Sequence, residues 1–329
     1  MTNEEKEAWQ KEQAMRAAKR AVDMDALPPG HPIDILRREN AALAAILDTT
    51  EKSQENYSRL AGLRKHYAKT EALLMPVLYR YGVTGPSKAI WDADDEIKRE
   101  LSALLSLCGA KKELPKERFS AFLSLVRDVM NREEKVLFPL ALRYFTDEEW
   151  KRAYFDIEEL GLAFFAPEDV PNWEEGEAFI LETEDADRKK LLAEGKIELP
   201  TGTLTVGQLA GIFSLLPVDI TFIDADDRLR FFFNEGRVFA RPRAALGREV
   251  WDCHPPRLVP MIQKMLDEFR REIRSEMTVW QRVAGKPVCV KYMAVRDANG
   301  EYLGTVETVQ DCTEIVRHFQ KENEAHGND

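Results

Sequence analysis

No stretch of this 329-residue chain reaches the roughly 18 consecutive apolar residues needed to cross a bilayer. Its opening, MTNEEKEAWQKEQ, is acidic and polar and lacks the apolar core of an export signal, so a cytoplasmic location is expected. Cysteine is scarce. The four residues Cys108, Cys253, Cys289 and Cys312 lie far apart with no CxxC pair, which argues against a disulfide scaffold and predicts reduced thiols. Cys289 and Cys312 also have the wrong spacing for zinc and read as core thiols. Positive charge is short as well: the net charge of -11 disfavours a nucleic-acid binder, which would carry a basic face. There is no nucleophile elbow, Walker loop, G-x-G-x-x-G or kinase motif, so an enzyme is not favoured.

Helical periodicity dominates the first half. Residues 1–30 form a charged, alanine-rich arm, a marginal helix suited to docking on a partner, which LPPG at 27–30 stops. Pro32 suits the first turn of the next helix. From 31 to 160 the spacing predicts four helices of roughly 17 to 30 residues in an antiparallel bundle, with a fifth opening at TDEEW. Two segments, TEALLMPVLYRY and EEKVLFPLALRY, repeat one pattern 63 residues apart, each with a proline inside an apolar helix (Pro76 and Pro139). Residues 161–205 are acidic and rich in Pro and Gly, and read as a linker with a short helix and a hairpin. After 206 short strands and helices alternate, predicting a five-stranded antiparallel sheet with helices on one face over 206–316, and a tail over 317–329.

Polar residues fall on the predicted apolar stripes of the bundle. Glu39 lies on the stripe of Ile35, Ala42 and Ile46, with His31 at its start. His66 and Thr70 lie with Leu63, Leu73 and Val77, and Asp94 with Ile90, Ile97, Leu101 and Leu104. Glu133 lies with Phe122, Val126, Val129, Val136 and Leu140. An ionised carboxylate on an apolar face requires a cation or a hydrogen-bonding partner. Either a bound metal ion or a metal-free polar network meets that need; in the second, His31 caps its helix and His66 bonds Asp94 or Glu133.

HYAKTEALLMP and NREEKVLFP resemble the two H-x-x-x-E-E-x-x-L-F-P segments of hemerythrin-like (HHE) bundles, over about 31–145. That resemblance implies a bent helix around a central site, with iron as a mono- or dinuclear centre. Carried over position by position, it implies His31, His66, Asp94 and Glu133 as metal ligands, with Glu39 as an extra carboxylate. Thr70 stands where the family carries a ligand Glu, Asp94 where it carries His, and Val129 where a second His is expected. Glu71 is five residues from His66, about 140° round a straight helix.

The region from about 206 to 316 resembles a PAS domain. LPVDITFIDADDRLRFFFN ends its strand pair in Asn234, ALGREV and CHPP follow as in the family, and the final hairpin closes on Asp311-Cys312-Thr313. The resemblance implies a pocket between sheet and helices that holds haem, flavin or a small metabolite, or nothing. Asn234, Arg241, Cys253 and His254 are the candidate ligand-binding residues. Cys253 and His254 are of types that ligate haem iron, though HP here is common in PAS sequences. Arg241 and Arg243 read as a solvated loop or an anion contact. The bundle followed by PAS is similar to a bacterial family that joins the two. The expected fold is therefore α+β and multidomain: an antiparallel four-helix hemerythrin-like bundle, then a PAS-type five-stranded antiparallel sheet with helices. A sensor or signalling role is expected, acting on metal, oxygen or nitric oxide and passing its signal through a homodimer or a separate partner. The alternatives are a metal-handling or small-oxidant-reducing di-iron-type enzyme, and a metal-free interaction scaffold.

Overall fold

A computed structural model describes residues 3–50, 54–109, 116–192, 195–233, 238–239, 241–283 and 285–326. Asn234 lies outside the described residues, as does the side chain of Cys108. The chain forms two compact units: Met1–Leu181 with Pro242–Ala244, and Glu182–Arg241 with Ala245–Asp329.

The first unit is helical. It runs through α1 (Asn3–Lys19), α2 (Pro32–Thr50), a 3₁₀ segment Gln54–Gly62, α3 (Leu63–Lys69), α4 (Met75–Arg80) and α5 (Gly85–Gly109). Then come α6 (Lys116–Arg132), α7 (Phe138–Tyr144) and α8 (Asp147–Leu160). Thr146 starts α8 with a reciprocal cap: its hydroxyl accepts the Glu149 N–H while Glu149 accepts the Thr146 N–H. The arm α1 packs on this unit itself: Trp9 stacks on Tyr81 at 5.1 Å, and Gln10 donates to the Arg80 carbonyl. An aromatic ring and a capped carbonyl hold to its own unit an arm whose composition suited docking on a partner.

The paired prolines come just after two widened turns. Thr70–Leu74 joins α3 to α4, and Glu133–Leu137 joins α6 to α7; both are single π turns. In each, the N–H just before proline bonds a carbonyl five residues back, Met75 to Thr70 and Phe138 to Glu133. Proline has no N–H to offer its own turn, and the extra residue carries the helix past that gap. The insertion also shifts the phase of the next helical turn. Val136, predicted to point inward, is 37% exposed, whereas Leu137 and Phe138 are fully buried. Matched positions keep matched roles: Glu71 pairs with Lys98 of α5, and Glu134 with Arg37 and Asn40 of α2.

The second unit holds most of α9 (Glu174–Leu192), the hairpin β1 (Lys196–Leu199) and β2 (Gly202–Thr205), and α10 (Val206–Leu215). β3 (Asp219–Asp224), β4 (Leu229–Phe233), α11 (Val259–Arg270), β5 (Glu276–Val283), β6 (Lys286–Arg296), β7 (Tyr302–Asp311) and α12 (Thr313–His326) complete it. The sheet is five-stranded and antiparallel, as expected, in the order β4-β3-β7-β6-β5. α11 buries Ile262, Met265, Leu266 and Phe269 against Ile223 and Val250. At 19 residues, α9 is longer than the short helix expected within 161–205. Its acidic first turn and basic last turn suit the helix dipole.

Candidate functional site

In the bundle His66, Glu39 and Glu133 come together, all fully buried. His66 Nδ1 lies 2.7 Å from Glu39 Oε2, and Nε2 lies 3.2 Å from Glu133 Oε2. A carboxylate only accepts, so a ring between two carboxylates donates from both nitrogens and is an imidazolium. Burial alone would lower its pKa; Glu133 and Glu39 outweigh that and raise it to about 9.

A residue not singled out from the sequence completes the group. Lys69 is fully buried, a rare fate for lysine. Its ammonium lies 2.9 Å from Glu39 Oε1 and donates to the Gly161 carbonyl at 2.6 Å. The Ala163 N–H donates to the same Glu39 oxygen at 2.8 Å. The stretch after α8 thus serves the bundle interior with main-chain groups, although its composition reads as a linker. Burial works to raise the pKa of Glu39, but His66 and Lys69 win and lower it.

Asp94 is also fully buried, and neither of its oxygens has a partner. Glu133 Oε1 and the Tyr67 hydroxyl are likewise buried and unpartnered. Burial first, then the charges of Glu133 and Glu71, hold the Asp94 pKa well above the usual carboxylate range. Thr70 turns its hydroxyl back to the Tyr67 carbonyl at 3.1 Å, and brings no donor to the acids.

His31 is placed elsewhere. Its Nδ1 accepts the Ile33 N–H at 3.2 Å as a helix cap, and its ring sits 4.8 Å from Trp150 and 5.0 Å from Trp173. Burial pushes its pKa down to about 4 against the pull of Asp34 and Asp147. The folded value lies below the unfolded one, so folding favours the neutral ring. That stabilisation is complete above about pH 6.5 and is lost as pH falls through about 4, a total of about 3 kcal/mol. A His31→Asn variant, which caps without titrating, is expected to lose that much less stability between about pH 7 and about pH 4; urea unfolding at the two values checks it.

In the sheet, cross-strand register sets Thr221 of β3 beside Glu307 of β7, and Glu307 beside Tyr292 of β6. Arg241 reaches this row, donating to Thr221 Oγ1 at 3.0 Å and to Glu307 at 2.8 Å. The expected solvated loop is instead a largely buried ion pair, because an acid on the inward face of a strand needs a cation. Burial disfavours the Arg241 charge, yet Glu307 beside it raises the pKa. Cys253 and His254 are half-buried nearby, where both act electrostatically on this pair. Burial raises the Cys253 thiol, which keeps it a poor metal ligand. His254 Nδ1 lies 2.7 Å from the Val250 carbonyl and must donate to it, which leaves the lone pair on Nε2.

Residues 31–141 match the family model described as hemerythrin HHE cation binding domain, and residues 209–313 match that of a PAS domain. The chain joins an HHE domain to a PAS domain. That pairing supports a sensor or signalling role. Among solved structures, the chain is similar to a C-terminal domain from Streptococcus mutans at 32% identity, covering 37% of this chain and 96% of that one, with a TM-score of 0.36. It is also similar to the PAS domain of Bordetella pertussis BvgS (19% identity, 36% and 95% covered, TM-score 0.28). A third is the Aer2 receptor from Vibrio cholerae, a dual PAS-heme oxygen sensor (15% identity, 29% and 95% covered, TM-score 0.22). No curated protein matches the chain.

The HHE family implies a cation, and the acids here divide: Glu39 is held by protein donors, while both Asp94 oxygens and Glu133 Oε1 are buried without a partner. Among the described residues no three His, Cys, Asp or Glu side chains are grouped so as to hold a metal ion. Both His66 nitrogens face carboxylates, and the Glu39 oxygens are held by His66, Lys69 and Ala163. For haem in the PAS domain, His254 has the right free nitrogen and Arg241 the right charge for a propionate.

Proposed function

We propose that this chain is a cytoplasmic sensor or signalling protein whose PAS domain receives a small anionic ligand. The signal then leaves by contact, through a homodimer or a separate partner protein. The observation that carries the reading is the half-buried Arg241, held over the Thr221–Glu307–Tyr292 row by a single carboxylate. A ligand carboxylate or phosphate can compete with Glu307 for that guanidinium and form the planar two-point contact that arginine favours. Exchange of one partner for another inside the domain is the kind of two-state event a sensor needs. The surface supports signalling by contact: α10 is an apolar helix with none of its residues buried, and its Leu215 is 83% exposed. Among the described residues no helix is long and apolar enough to cross a membrane.

Hemin and flavin mononucleotide, each an anion on an aromatic frame, are the probes. Saturable binding of one is expected, read as a Soret band or quenched flavin fluorescence together with a raised melting temperature. Arg241→Gln is expected to weaken it by roughly 10-fold or more, the value of one charge-assisted hydrogen bond. Absence of binding and of any thermal shift with both probes overturns the receptor reading. A di-iron-type enzyme is less favoured, because both Glu39 oxygens are already held by His66, Lys69 and Ala163.

A further inference from the structure

In a chain of net charge -11, cations without acid partners stand out. Elsewhere in the helical unit Arg37, Arg38, Arg118, Arg127 and Arg132 each face a carboxylate. The end of α1 and the turn between α7 and α8 differ. They enclose a cavity of about 470 Å³ that gathers Arg16, Lys19, Arg20 and Arg143 around one carboxylate, Asp147. Among the described residues Lys19 and Arg143 have no hydrogen-bond or ion-pair partner, and Arg16 meets only the Gln13 side-chain oxygen at 3.4 Å. Arg20 is partly engaged: it donates to the Phe145 carbonyl at 2.5 Å and stands 3.8 Å from Asp147. Ala17 and Phe145 in the lining are buried, which gives the cluster a fixed floor. Basic residues suit the last turn of a helix, and Arg16, Lys19 and Arg143 stand in such turns. The dipole does not require that two helix ends share one cavity. Like charges brought together repel, and a cleft lined by one sign focuses its field and draws counter-ions.

We propose that this cavity binds a polyphosphate, either free or carried by a nucleoside di- or triphosphate. Its volume falls in the range of ordinary small-molecule sites, roughly 300–1,000 Å³. Phosphate oxygens take two-point contacts from a guanidinium and a point charge from an ammonium, and the lining offers three of the first and one of the second. Several linked phosphates can answer several cations at once, which a single carboxylate ligand cannot. Tyr144, half-buried in the same lining, offers a ring to a nucleotide base. Two of the unpaired cations belong to α1 and the third to α7, so the bound polyanion ties the arm to the rest of its unit. The site shares no residue with the Arg241 row.

The test titrates the full chain by calorimetry with ATP and, separately, with inorganic tripolyphosphate. Saturable binding of at least one is expected, one per chain, with a raised melting temperature and an affinity that falls as salt rises. Tighter binding of ATP assigns the cavity to a nucleotide, and equal or tighter binding of tripolyphosphate assigns it to the free polyanion; either supports the proposal. Arg143→Gln and Lys19→Gln change exposed side chains and are expected to leave the melting temperature of the free chain unaltered. Each is expected to weaken binding roughly 10-fold, the value of one hydrogen bond to a charged group. Arg241→Gln is expected to keep this binding in full, and Arg143→Gln to leave any hemin binding intact, so the two sites stand or fall separately. Absence of binding with both probes overturns the proposal. Binding that Arg143→Gln and Lys19→Gln leave unchanged also overturns it, because the polyanion would then sit elsewhere.

Discussion

Glu39→Gln is expected to destabilise the bundle by about 3–5 kcal/mol, the usual result of removing one partner from a buried ion pair. Glu39 is the hub: it accepts from His66 on one oxygen and from Lys69 and Ala163 on the other. The amide can still accept from Lys69 or Ala163, but it offers His66 no negative charge and leaves the site with a net positive one. Burial then acts unopposed on Lys69, the group whose pKa it already lowers. For a unit of this size the loss corresponds to a melting temperature lower by roughly 10 °C, read by calorimetry on the full chain as the bundle transition. The companion variant Glu39→Leu with Lys69→Met removes anion and cation together. It is expected to regain most of the loss, since a buried pair replaced by apolar groups of similar volume is often close to neutral. A single variant within about 1 kcal/mol of the unaltered chain would show that the acid is not balancing two cations.

Gly30→Ala is expected to cost roughly 3 kcal/mol or more for a different reason. Gly30 has φ of +79°, where a side chain costs about 1–2 kcal/mol by itself. A Cβ there would also fall 2.2 Å from the Pro171 carbonyl oxygen and 2.8 Å from the Trp173 nitrogen. Those atoms are backbone and cannot rotate away, so the strand of chain at 171–173 must move. Trp173 packs on the His31 ring, and the Trp173 N–H donates to the Tyr154 hydroxyl at 3.2 Å. The variant should therefore lower the bundle melting temperature and loosen the indole of Trp173, seen as a red shift in its fluorescence. A melting temperature within about 2 °C of the unaltered chain would mean that the 171–173 crossing is not a fixed part of the fold.

Much of the fold was legible because its periods are clean. The stripes of α2, α3, α5 and α6 placed Glu39, His66, Asp94 and Glu133 inward, and all four are fully buried. The short strands and turns after residue 206 predicted the antiparallel sheet. The failures have physical causes. A straight helix puts Val136 inside, and the π turn at Glu133–Leu137 takes it out. Lysine reads as a surface residue, so Lys69 passed unnoticed, although its place three residues after His66 put it on the inward face. His31 carried two readings, a metal ligand by resemblance and a helix cap by its position ahead of Pro32, and its Nδ1 accepts the Ile33 N–H. Arg241 read as part of a solvated loop because nothing nearby in the sequence called for a cation; its partner lies 66 residues away. An inward-facing Glu307 on β7 was the signal that could have found it.

The carbonyl of Gly161 and the amide of Ala163 have one more implication. Both lie past residue 141, where the match to the HHE family stops. A fragment trimmed to 31–141 would keep every side chain of the central network and discard the two peptide groups that complete it. Such a truncation would present Lys69 with one acceptor fewer and Glu39 with one donor fewer, and would misreport how the intact bundle treats ions.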